Sequence, residues 1–221
     1  MTSPSELIIE PSSGRPANAC VFILHGLGAD GHDFAPLVPQ LDLPADADVR
    51  FIMPHAPRLA VTVNNGMTMP AWYDILSVDL GRKVDATQLT RSAERIQQLI
   101  QAQMDQGIDS RRIIVAGFSQ GGAVAYQAAL TFDQPLAGLL AMSTYLANPD
   151  ELALAEANRP LPIEVHHGTA DPIVPENLGR EGVEALRAQG YTVEFRRYEM
   201  AHSLCPAQIE DISRFLSARL A

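Results

Sequence analysis

At 221 residues, 47% hydrophobic and 19% charged, the chain has the make-up of a globular protein and the length for one sizeable core, expected as one domain over residues 1–221. Its net charge of −10 disfavours nucleic acid and anionic membrane surfaces as partners, since both would repel it. Met1 to Pro11 lacks a basic start followed by a long apolar stretch, no apolar run has the length of a membrane span, and Cys20 and Cys205 form neither a metal spacing nor a disulfide framework; the expectation is a cytoplasmic protein with free thiols, no metal and no integral membrane segment.

Strand-like and helix-like segments alternate along the chain. Cys20 to Leu24 is a continuous apolar run ending in His25-Gly26, the pattern of a strand buried on both faces. Val49 to Met53 is a second, stopped by Pro54. Pro54 to Val84 reads as the longest irregular region, with three prolines, the turn Asn64-Asn65-Gly66, Met67, Met69 and the single tryptophan, Trp72. Loops this long in compact domains are usually functional or disordered, and the aromatic and Met content argues against disorder, so a short flap lining an acyl pocket is expected, with Met69 and Trp72 as substrate contacts. The same apolar flap would serve equally as a homodimer surface.

Asp85 to Gln106 carries Leu89, Ile96, Leu99, Ile100 and Met104 at helical spacing, with Asp85 as N-cap, Gln88 placed for a capping box and Gly107 as stop. Next comes the β-branched run Arg112 to Ala116, then Gly117-Phe118-Ser119-Gln120-Gly121, then an Ala-rich helical run from Gly122 to Leu130. Leu136 to Met142 and Ile163 to His167 are further strands. Glu176 to Gln189 is a helix closed by Gly190. Tyr191 to Phe195 is a strand running on to Tyr198, and Ile209 to Leu220 is a terminal helix. This alternation predicts a mainly parallel sheet covered on both faces, with ligands bound beyond the carboxyl ends of the strands.

A serine in G-x-S-x-G between a strand and a helix marks a strained turn that lifts its hydroxyl above a sheet edge. A serine nucleophile needs a base, a group to orient that base, and donors for the oxyanion. In this arrangement the acid and then the histidine follow the serine in the chain. Asp171 lies just past a strand end between His167-Gly168 and Pro172, where two prolines stiffen the loop. An aspartate there also suits a turn or a cap before Glu176; Asp133 and Asp150 are rivals, but Asp133 follows the nucleophile helix and Asp150 sits in a polar cap-like run, whereas Asp171 joins Ser119 and His202 in the required order just past a strand end. His202 follows the last strand and precedes the last helix, so its ring can reach Ser119 and Asp171. His25, His32 and His55 lie upstream of the serine, and His167 is placed to support the Asp171 loop. Of the two oxyanion N–H groups, one belongs to Gln120, at a helix N-terminus, and the other is assigned to Leu27 in His25-Gly26-Leu27-Gly28. That Gly-rich loop has neither the lysine of a P-loop nor dinucleotide spacing.

At these residues the chain resembles the small α/β-hydrolase carboxylesterases grouped with acyl-protein thioesterases and lysophospholipases, the bacterial carboxylesterases most closely. The matching pieces are His25-Gly26-Leu27-Gly28, Pro54-His55-Ala56-Pro57, Met69 through Trp72-Tyr73-Asp74, Gly117 through Gly122, Gly168 through Val174, and Ala201-His202. The resemblance implies an α/β-hydrolase without a large lid domain, no cofactor, and a small-molecule ester or thioester as substrate. It implies Ser119, Asp171 and His202 as the triad, Leu27 and Gln120 as the oxyanion hole, and Trp72 in a substrate-side loop. Serine carboxylesterase is the first expectation, acyl-protein thioesterase or lysophospholipase the second, and a non-catalytic binding module a third that leaves the ordered Ser, Asp and His without a purpose.

Overall fold

The apolar runs read as strands form the middle of one sheet, because each is buried on both faces. A computed structural model describes residues 6–78 and 82–221. In chain order its seven-stranded sheet comprises β1 (Glu6–Ile9), β2 (Ala19–Leu24), β3 (Val49–Pro54), β8 (Ile113–Phe118), β9 (Gly138–Met142), β10 (Ile163–Gly168) and β11 (Val193–Tyr198), arranged in space as β1-β3-β2-β8-β9-β10-β11. Every pairing is parallel except β1 with β3. Along β2 the side chains alternate between two cores. Cys20, Phe22 and Leu24 join the face covered by α1 (Ala86–Asp105), α2 (Gln120–Leu130) and α3 (Glu176–Ala188). Ala19, Val21 and Ile23 join the face covered by α4 (Pro206–Leu220) and a 3-10 helix over Gly31–Gln40.

The chain leaves β2 for β3 on one side and returns to β8 on the other. The carboxyl ends of β2 and β8 therefore flank a topological switch point, the crevice where open parallel sheets bind ligands. Their ladder runs as far as Leu24 opposite Gly117, so the His25–Gly28 turn and Ser119 both emerge there.

Two expectations need correction, and two elements went unread. The Pro54 to Val84 region is not irregular. It folds as a hairpin of β4 (Arg58–Val61) with β5 (Met67–Pro70), and a second of β6 (Ile75–Ser77) with β7 (Lys83–Val84), while 79–81 lie outside the described residues. Strands of two to four residues are too short to show a period. Asn65 and Gly66, at φ 56° and 72°, supply the left-handed turn between β4 and β5. The capping box is half-formed: Asp85 accepts the Gln88 N–H at 3.0 Å, but the Gln88 amide oxygen accepts from the Asp74 N–H at 2.8 Å rather than returning to the cap. β1 and the Gly31–Gln40 helix were not anticipated at all. The first is a four-residue edge strand, and the second contains Pro36 and Pro39, which obscure any helical reading. Among the described residues no helix is long and apolar enough to cross a membrane.

Candidate active site

Ser119 sits at φ 53° and ψ −123°, a conformation that costs a non-glycine residue on the order of 1–3 kcal/mol. Its surroundings enforce it. The Ser119 N–H donates to Met142 O at 2.9 Å, and its carbonyl accepts from the Thr144 hydroxyl at 2.6 Å. The flanking glycines allow the backbone to fold back on itself: a Cβ on Gly117 would stand 2.4 Å from Gly121 O, and one on Gly121 2.3 Å from Leu24 O. The N-terminus of α2 is thus packed directly on the end of β2.

Asp171 lies beyond β10 with its side chain fully buried. One carboxylate oxygen accepts the N–H groups of Ile173 and Val174, both at 2.9 Å; the other lies 2.7 Å from His202 Nδ1. An ionised carboxylate only accepts, so the proton is on Nδ1 and the lone pair of His202 is on Nε2. The His202 ring leans on Phe118, 4.7 Å between centroids, and borders the same cavity as Ser119. His167 supports this turn, its Nε2–H donating to Val174 O at 2.8 Å.

The Leu27 turn stands against the serine: a Cβ on Gly26 would lie 3.4 Å from Ser119 Cβ. Gln120 is the first residue of α2, where N–H groups have no intrahelical acceptor and the helix dipole favours negative charge. His25 is a brace for this turn. Its Nε2 accepts the Ala56 N–H at 3.0 Å, so Nδ1 carries the proton and donates to Gly26 O at 2.8 Å.

The structure places Met69 and Trp72 away from the cavity at Ser119. Trp72 is 1% exposed and donates its Nε1–H to His25 O at 2.9 Å, behind the turn rather than in front of it. Met69 receives the Asn64 amide at its sulfur, 3.2 Å away, on the β4–β5 hairpin. The cavity, about 520 Å³, is walled instead by Leu27, Phe34, Leu37, Phe118, Leu204 and Ile209. Phe34 and Leu37 are three residues apart, the spacing that stacks side chains on one edge of a 3-10 helix. In the sequence Pro36 and Pro39 hide that spacing. A second cavity of about 610 Å³ shares Leu27 and Ile173 with the first and continues past Val63, Ile75 and Val78. Asp30, His32 and His55 bring ligand-type atoms within 4.8 Å of one another, but His55 Nδ1 accepts the Gly31 N–H and His32 Nδ1 is bonded to Asp30, so the group already holds its own loop together.

Burial lowers the pKa of His25 and of His167 below the ordinary 6.5. Both rings are neutral in the fold, and the unfolded chain binds more protons below about pH 6.5. Stability therefore falls as pH drops from 6.5 toward the folded values, by about 1.4 kcal/mol per pH unit for each histidine. Thermal unfolding followed between pH 7.5 and 5 should show this decline; a flat profile would contradict the lowered pKa of these two rings.

The model of the phospholipase/carboxylesterase family matches residues 5–220. Acyl-protein thioesterase 1 of Neurospora crassa is 39% identical over 224 residues, covering 96% of this chain and 91% of that protein. Acyl-protein thioesterase 1 of Mycosarcoma maydis is 39% identical over 229 residues, 95% of each. Among solved structures, acyl-protein thioesterase 2 of Zea mays superposes with a TM-score of 0.85 at 26% identity, covering 98% of this chain and 99% of that one. The carboxylesterase of Bacillus cereus superposes with a TM-score of 0.76 at 18% identity over 97% and 93%, a likeness of fold.

Proposed function

The chain belongs to the phospholipase/carboxylesterase family, ester hydrolases with the α/β-hydrolase fold, and from that premise we propose that it hydrolyses carboxylic esters through an acyl-enzyme on Ser119. The observation that carries this reading is the buried Asp171 carboxylate 2.7 Å from His202 Nδ1, with His202 and the strained Ser119 on one cavity wall. Ser119 Oγ attacks the acyl carbon as His202 Nε2 takes its proton. Asp171 keeps the ring oriented and stabilises the imidazolium. The N–H groups of Leu27 and Gln120 hold the negative oxygen. Collapse breaks the bond to the leaving group, which takes the proton from His202. Water then gives a proton to Nε2 and attacks the acyl carbon, and the acid departs as Ser119 recovers its proton. The apolar wall of Phe34, Leu37, Leu204 and Ile209 suits the acyl chain.

An acyl-protein thioesterase is the second reading, favoured by the names of the relatives at 38–39% identity. The chemistry at Ser119 is the same for both; the leaving atom differs. A panel of esters and thioesters with matched acyl groups decides between them through kcat/KM: ester preference across chain lengths supports the first reading, and consistent thioester preference replaces it with the second.

Leu37→Trp tests the acyl wall. The larger ring fills the cavity, so kcat/KM for a medium-chain ester should fall roughly 10- to 200-fold, the range set by lost methylene contacts. An acetyl ester should be hydrolysed at near the wild-type rate. Equal loss on both substrates would remove the chain from this cavity.

A further inference from the structure

The two N–H groups assigned to the oxyanion follow different strands, Leu27 in the turn after β2 and Gln120 at the start of α2 after β8, and the ladder joining those strands stops short of them. β2 and β8 last pair at Leu24 and Gly117. Leu27 lies three residues beyond one end, Gln120 three beyond the other. The close packing of Gly121 on Leu24 O and of Gly26 beside Ser119 brings the two ends together without a hydrogen bond between them, and donors to an oxyanion act through preorganisation, so a bonded link across the gap matters.

The segment from Pro70 to Tyr73 spans that gap. On the Leu27 side, the Gly28 N–H donates to Pro70 O at 2.8 Å, and Trp72 Nε1–H donates to His25 O at 2.9 Å. On the other side, the Gln120 side-chain amide grips the same segment twice. Its oxygen accepts the Trp72 N–H at 2.9 Å, and its nitrogen donates to Tyr73 O at 2.6 Å. The Trp72 carbonyl in turn accepts from the Ser92 hydroxyl at 2.5 Å, which fastens the segment to α1. Trp72, Tyr73 and Gln120 are at most 2% exposed. A buried amide and a buried indole N–H are expensive to leave unpaired, so these bonds hold the segment in one arrangement.

We infer that Trp72 and the Gln120 side chain are positioning residues, which set the separation of the Leu27 and Gln120 N–H groups by clamping both loops to the Pro70–Tyr73 segment. The inference rests on the Ser119 reading. It gives Trp72 a role in turnover although the ring does not line the cavity, and it separates two tasks of Gln120: the backbone N–H faces the reaction, while the side chain holds the crossbar.

The test uses the full chain, a short chromogenic ester and a fluorophosphonate probe. Trp72→Phe removes one N–H and keeps an aromatic ring in place. Gln120→Glu keeps the shape but sets an oxygen against Tyr73 O. Each should lower kcat about 10- to 100-fold, less than or comparable to outright loss of a donor, with KM within about threefold. The rate of Ser119 phosphonylation should fall in step with kcat, because that reaction also develops negative oxygen. In Trp72→Phe, which adds no ionisable group, the pH midpoint of kcat/KM should stay at its wild-type value, since His202 and Asp171 are untouched. In the double variant the losses should be less than multiplicative, as both break one clamp.

Activities are taken per folded protein, with the thermal midpoint of each variant measured. Wild-type kcat in a folded Trp72→Phe variant, or a loss residing wholly in KM, overturns the inference, and Trp72→Phe decides alone if Gln120→Glu does not fold. Failure of the Ser119 reading looks different: the wild-type protein itself escapes the probe, or Ser119→Ala stays active.

Discussion

Ser119→Ala should lower kcat on a chromogenic short-chain ester by about six orders of magnitude, the loss typical of removing a serine nucleophile. What remains should be a rate on the order of 10³-fold over water, supplied by the Leu27 and Gln120 donors and by substrate binding. The variant should fold. The backbone that fixes the turn is anchored through the Ser119 N–H to Met142 and the Ser119 carbonyl to Thr144 and the Gly122 N–H, and none of these bonds uses the hydroxyl. Alanine also keeps the Cβ that packs beside Gly26. The strain at φ 53° therefore passes unchanged to the variant, and its thermal midpoint should lie within a few degrees of the wild type. Fluorophosphonate labelling should vanish with activity. A folded Ser119→Ala protein with activity near that of the wild type would move the nucleophile elsewhere and end the acyl-enzyme reading.

The sequence carries the serine turn so plainly because local sterics write it. Gly117 and Gly121 stand where any Cβ would meet backbone at 2.4 Å or less, so the pentapeptide admits few alternatives. The long strands are legible for a related reason, since burial on both faces demands uninterrupted apolar residues. Asp171 and His202 were reachable through chain order together with their places just past strand ends. The acyl wall was not. Phe34 and Leu37 come from a proline-bearing 3-10 helix, and Leu204 and Ile209 from the far end of the chain, so the cavity exists only once β2 and α4 are brought to the same sheet face. Trp72 misled for a physical reason. An aromatic residue in a loop near the site suits a substrate wall, but its indole N–H required a partner when buried and found His25 O. Gln120 illustrates the same limit. Its place after the serine identified the N–H, while the bonds of its side chain to residues 48 and 47 positions earlier depend on tertiary contact that no local pattern records.

Asp171→Asn should cost about four orders of magnitude in kcat while preserving the loop. The asparagine oxygen can still accept from the Ile173 and Val174 N–H groups that hold Oδ1 at 2.9 Å. The change falls on the other atom. An NH₂ group now faces His202 Nδ1 at the place where the carboxylate oxygen lay at 2.7 Å, and it donates instead of accepting. The ring proton moves to Nε2, the nitrogen that must receive the proton of Ser119, so the base is present in the wrong tautomer. The buried negative charge that would steady the imidazolium is lost with it. Asp171→Ala separates this effect from support of the turn, because it also strands the two N–H donors and should destabilise the protein by about 1–3 kcal/mol. Asn and Ala variants with equally low kcat but unequal thermal midpoints are the expected pair of results. An Asp171→Asn protein within tenfold of wild-type kcat would instead make the carboxylate a loop brace, and the acid that orients His202 would have to be sought in another residue.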